Sequence, residues 1–162
     1  MSRPWVCGAV LLIVACGGSG ASPAPLEMAT TPEGAVRNFM QAVADSNIAR
    51  MGRYWGTARG PASVTRQPHD YVQRLSVTQA FLRDSPFKVL RTDPVVNDAA
   101  RQTVHLELDR SDLDGKRCVR KLPFIVVNTG KQGWIVTAID LTQVGTPGRS
   151  CAAPIPAAKP AS

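Results

Sequence analysis

Histidine is the side chain best suited to moving protons near neutral pH, and the 162-residue chain has two, His69 and His105. His69 stands beside Asp70 and Tyr71 at a predicted helix start. His105 alternates with Val104 and Leu106, so on a strand it projects to the opposite face from them. Facing a concave pocket, it could act as a general base; otherwise it is a surface or structural histidine. Neither histidine has a second metal-type residue at ligand spacing, and no metal site is predicted. Asp109, Asp112, Asp114 and Gly115 hint at a calcium loop. Setting Asp112, Asp114 and Gly115 at the third, fifth and sixth EF-hand positions puts Arg110 first and Lys121 twelfth, two cations where oxygen ligands are needed. The segment therefore reads as a solvated hairpin turn. The sequence lacks a Gly-x-Ser-x-Gly elbow, a phosphate-cradling glycine loop and a dinucleotide fingerprint. No cofactor is predicted.

The remaining chemistry sits on cysteine. Residues 1–15 begin with the positive charge of Arg3, continue through an apolar run from Trp5 to Val14 and end on the small Ala15. That is the pattern of an export signal, and the apolar run is about half as long as a membrane-spanning helix. Ile13-Val14-Ala15-Cys16 resembles the lipobox of bacterial lipoproteins. The resemblance implies that Cys16 is acylated and becomes the first residue of the mature chain, anchored in a lipid bilayer of the cell envelope. Gly17, in place of an acid after the cysteine, points to the periplasmic face of the outer membrane. Residues 16–30 are rich in Gly, Ser, Pro and Ala and read as a flexible tether. Residues 144–162 carry four prolines and little to bury, and read as a tail.

With Cys7 in the signal and Cys16 acylated, Cys118 and Cys151 are left as one pair in an oxidising compartment. They are expected to form a disulfide. Two free thiols or a redox pair are the alternatives, although the spacing is unlike Cys-x-x-Cys. The chain is basic, at +7, and loses one charge with Arg3. Basic residues are scattered and not interleaved with aromatics, which argues against nucleic acid as a partner.

The elements that must position these residues lie in 31–143, one domain large enough for a single core. Thr31-Pro32-Glu33 is a helix start, with a hydroxyl cap, Pro in the first turn and an acid beside it. Ala35, Val36, Phe39, Met40 and Val43 follow at helical spacing. A second helix is predicted from Ile48 to about Trp55, and a third from about His69 to Leu82 with Val72, Leu75, Ala80 and Phe81 inward. Period 3.6 then gives way to period 2. Strands are predicted over 87–91, around Val104 to Leu108, over 118–127 and over 134–141, with turns at Asp114-Gly115 and 128–133. Pro123 suggests an edge or a bulge. Helices first and strands afterwards make an α+β domain.

The stretch from Thr31 to Asn47, with a second helix ending in Tyr54-Trp55, resembles the opening of the NTF2-like superfamily, which includes ketosteroid isomerases and polyketide cyclases. The resemblance spans about residues 31–143 and implies N-terminal helices packed on a curved antiparallel sheet, forming a cone. Its motif consists mostly of core positions and speaks to fold more than to activity. Enzymes of this superfamily place an acid or histidine, often with a tyrosine, inside the cone. Asp140, His105 and Tyr54 are the residues here that could fill those roles, Asp140 as a base if burial raised its pKa. The expectation is a non-enzymatic, membrane-anchored domain that binds a small apolar ligand or an envelope protein. An isomerase- or cyclase-type enzyme and a structural subunit of an envelope complex are the alternatives. Domains of this family often form homodimers.

Overall fold

Thr31 opens the first helix as its residue type predicts. In the computed structural model, which describes residues 28–112, 114–145 and 151, its backbone is extended and its hydroxyl accepts a hydrogen bond from Gly34 N at 3.0 Å. Helix α1 runs Pro32–Ala44 and buries one stripe: Ala35, Val36, Phe39, Met40, Ala42 and Val43. Asp45 ends it and accepts from both Gln41 Nε2 and Arg50 Nη1, tying α1 to the next helix. Asn47 caps α2 (Ile48–Tyr54) by accepting from Arg50 N.

The segment after α2 contains a small hairpin, β1 (Gly56–Thr57) with β2 (Gly60–Pro61), and one turn of helix, α3 (Ala62–Thr65). The sequence reading left this segment as a loop. Its elements are too short for a period to register. Gly56 is required there, because a Cβ would lie 2.3 Å from Gly60 O. Helix α4 runs Tyr71–Leu82, two residues later than the predicted start. Its buried residues are Leu75, Thr78 and Leu82. Val72, predicted to face inward, is 51 % exposed. Tyr71, Leu75, Thr78 and Leu82 form the stripe that meets the core, and Val72 lies off it.

Four strands follow, β3 (Phe87–Val95), β4 (Asp98–Ser111), β5 (Arg117–Asn128) and β6 (Trp134–Ile139), all antiparallel and in sequence order across an open sheet. The domain is therefore α+β, as read from the sequence. β3 and β4 are longer than predicted and meet at a two-residue turn, Val96-Asn97, with Asn97 in the left-handed region. β5 pairs with β4 from Arg117 to Val127, but β6 pairs with it only from Phe124 onward. Pro123 sits one residue beyond that pairing, where β5 has become an edge, so it displaces no partner.

Val104, Leu106 and Leu108 of β4 and Leu122, Phe124 and Val126 of β5 are fully buried on one sheet face. The helices cover that face, and α1 reaches all four strands. Phe39 and Phe124 meet edge to face with centroids 6.2 Å apart. The core also takes in Ala29 and Val144, which lie just outside the predicted limits of 31–143. Ala29 O accepts from Trp134 N, so the start of the domain is held along β6.

Cys118 in β5 is bonded to Cys151, with Cα atoms 5.5 Å apart. The bridge joins positions separated by 33 residues. A loop of that size is worth about 3–4 kcal/mol through the entropy it removes from the unfolded chain. Cys118→Ser, or reduction of the wild type, is expected to lower the unfolding free energy by about that amount. Urea denaturation with and without reductant measures it. An unchanged midpoint would remove the bridge from the account of stability.

Candidate functional site

Helix α4 covers the domain incompletely, because only one narrow stripe of it is apolar enough to pack. Val77 and Arg74 stay exposed beside the outer edge of β6. Between them lies a groove of about 500 Å³. Its walls include Trp55, Arg74, Val77, Thr78, Ile139 and Leu141. Trp55 leaves α2 with extended backbone (φ −130°, ψ 143°) and bridges in parallel to Val136. That bridge turns the indole out of the helical row and onto the groove wall. A bulge in the β5–β6 pairing lies beside Thr137, whose hydroxyl donates to Ile125 O. A bulge re-aims the residues that follow it, here Ala138 and Ile139 on the groove floor.

The polar feature of the groove is one ion pair. Arg74 Nε lies 2.8 Å from Asp70 Oδ1, one helical turn away. The hydrogen bond from Arg74 holds the Asp70 carboxyl below the usual aspartate range, and the same bond raises Arg74. Both groups are solvated, so the pair adds little stability. It does place a fixed guanidinium, with its Asp70 partner, on the wall of a cleft that also carries Gln73, Thr78 and Thr137 beside its apolar residues. Such a cleft can hold a small apolar body and pair an anionic or hydrogen-bond-accepting group at its mouth.

The three residues considered for acid–base work are not brought together. Tyr54 is buried among the helices and belongs to the core. His105 lies on the opposite face of the sheet, where its Nε2 is 3.0 Å from Asp93 Oδ2, and Asp93 also holds Arg91 at 3.0 Å. Asp140 follows the end of β6 and is exposed. Its carboxylate accepts from Thr142 N, the Thr142 hydroxyl and Gln143 Nε2, and so caps a 3-10 turn, Leu141–Val144. The Thr142 hydroxyl bond, with lesser help from Gln143, holds Asp140 below the ordinary aspartate range. A raised, base-like carboxyl is the opposite of what these partners produce. Among the described residues, no group of three or more His, Cys, Asp or Glu is placed to hold a metal ion. Cys16 lies outside the described residues.

The sequence reading missed Arg74, Val77, Ile139 and Leu141 as a group. The available signal was modest: apolar Val72 and Val77 among polar neighbours on α4, off the core stripe. No protein-family model matches the chain, and no curated protein matches it significantly.

Asp140 stands between two groove residues, Ile139 and Leu141, so its cap also positions Leu141. Asp140→Ala is expected to cost roughly 0.5–1 kcal/mol, the low end for a cap because the turn is short, whereas Asp140→Asn keeps an acceptor and costs only about a few tenths. The wild-type contribution is complete above the ordinary aspartate range and is lost as pH falls through the lower, folded value. Urea melts of both variants from neutral to acid pH read the difference. Equal losses in the two would assign the cost to something other than the cap.

Proposed function

We propose that this chain is an exported, lipid-anchored binding protein of the cell envelope, with an NTF2-like domain that holds a small, largely apolar ligand in the groove between α4 and β6. The groove carries the binding reading: four apolar walls, Trp55, Val77, Ile139 and Leu141, beside one ion pair, in which Asp70 fixes the Arg74 guanidinium. The lipobox-like Ile13-Val14-Ala15-Cys16 carries the address. Acylation there would keep the domain at the periplasmic face of the outer membrane. Two acyl chains supply the second anchoring signal that stable attachment needs. The helix pair ending in Tyr54-Trp55, followed by a four-stranded antiparallel sheet, supports the NTF2-like assignment.

A binding role is favoured over catalysis by the placement of the polar residues. His105 faces away from the helices, Tyr54 is in the core, and Asp140 is committed to a cap. None lines the groove. A ligand there meets shape, apolar surface and one ion pair, which suffice to bind and orient it.

The test uses 1-anilinonaphthalene-8-sulfonate, an apolar probe with an anionic group. Saturable one-site fluorescence enhancement is expected with the wild type. Val77→Glu, which puts a carboxylate on the groove wall, is expected to weaken binding at least tenfold, equivalent to about 1.4 kcal/mol. Val72→Glu, at an exposed position on the same helix but outside the groove, is expected to leave it unchanged. Equal affinities for Val77→Glu and wild type would overturn the assignment of the groove.

A further inference from the structure

From Asn47 to His69 the chain carries Arg50, Arg53, Arg59 and Arg66 and no acidic residue. This stretch folds into α2, the β1–β2 hairpin and α3, at one end of the domain. The loop between β5 and β6, residues 128–133, meets it there. The Gln132 side chain lies against Gly60, and this loop too has a cation, Lys131, and no acid. The same end receives the incoming chain. Met28, Arg53, Tyr54, Val64 and Gln132 line a second, mainly apolar cavity of about 230 Å³. Met28 is 58 % exposed and Val64 is 64 % exposed. Arg50 is engaged by Asp45 and Arg66 by the Tyr71 hydroxyl. Among the described residues, Arg53 and Arg59 make no ion pair. Arg53 and Arg59 therefore leave unpaired positive charge beside exposed apolar side chains.

We infer that this end of the domain docks against an anionic lipid surface. Arginines contact the headgroups, and Met28 and Val64 enter the interface. The geometry of the anchor favours this occupant and rests on the reading of Cys16 given above. Only twelve positions separate Cys16 from Met28. Twelve residues, even fully extended, reach at most about 40 Å. Met28, and the basic end that it enters, are thus held within a few tens of ångströms of the bilayer, and the far end of β5 lies further along the chain. Tethering converts docking into an intramolecular step at high effective concentration, so a modest electrostatic attraction is enough. Each basic residue near an anionic bilayer contributes roughly a fivefold factor.

The experiment uses the mature protein purified from membranes and reconstituted into vesicles of phosphatidylcholine, with or without a third of phosphatidylglycerol. A fluorophore at Val64→Cys reports accessibility to an aqueous quencher. A second at Val119→Cys, an exposed position about 30 Å along β5 from the 128–133 loop, is the control. Residue 64 is expected to be shielded on the anionic vesicles only, and residue 119 on neither. Neutralising Arg53→Gln and Arg59→Gln together should lower the docked-to-free ratio roughly 25-fold, and high salt should abolish the shielding. Equal accessibility of residue 64 on both vesicle types overturns the inference. So does shielding that requires an added envelope protein whatever the lipid. The mass of the purified protein reports acylation separately. If Cys16 proves unmodified, the same labels read binding of the free protein to added vesicles, so docking and anchoring are judged independently.

Discussion

The fold depends on covering one apolar face of a four-stranded sheet. Val104, Leu106 and Leu108 of β4 and Leu122, Phe124 and Val126 of β5 would otherwise face water. Burying each such side chain is worth about 1.5–3 kcal/mol. Helix α1 supplies the cover because its six buried residues fall on one stripe. The edge-to-face contact of Phe39 with Phe124 lies where that stripe crosses β5. The other helices are arranged around this contact. Asp45 and Asn47 turn the chain so that α2 returns beside α1, and Arg110, buried at the far end of β4, donates to Phe81 O and Ser85 Oγ to hold the end of α4 against the sheet. Burial, and next the nearby Arg120, push the Arg110 guanidinium below its usual range.

Elements that pack onto that face with a full stripe were legible in the sequence. α1 announces itself by its cap and its spacing, and β4 by strict alternation from Val104 to Leu108. The disulfide followed from counting cysteines. What could not be read is what depends on tertiary company. The β1–β2 hairpin and α3 are too short to carry a period. α4 mixes two incomplete apolar rows, and which one turns inward is decided by α2, against which Leu75 packs. Val144 and Ala29 were assigned to tail and tether because their neighbours are Gly, Pro, Thr and Gln. Each is nonetheless buried, because a single apolar residue can plug a gap at the end of a core.

The same logic explains why the three candidate residues lie apart. Alternation that buries Leu106 must expose His105 to the other face. Asp140 could have entered a pocket only if β6 had continued past Ile139. Once the strand ends, Thr142 and Gln143 supply local hydrogen bonds that stabilise its ionised form, and a carboxylate so satisfied is a poor base. The groove arises from the complementary failure: α4 does not reach far enough to cover Trp55 and Ile139. Four of its walls were visible in the sequence only as ordinary apolar residues, because a groove is defined by what is missing between elements.

Tyr54 and Trp55 connect the two surfaces of interest. Tyr54 is the last helical residue of α2 and lines the cavity at the basic end, whereas Trp55 is the first extended residue and lines the groove. The helix-to-strand change between them sends neighbouring side chains to different sites. Trp55 is fixed by its bridge to Val136, and the strand that carries Val136 also accepts the incoming chain through Trp134. The groove wall and the basic end therefore share one backbone step and one strand. Were both surfaces to bind, any coupling carried by this step would have to act equally in both directions, since linkage between two binding equilibria is reciprocal.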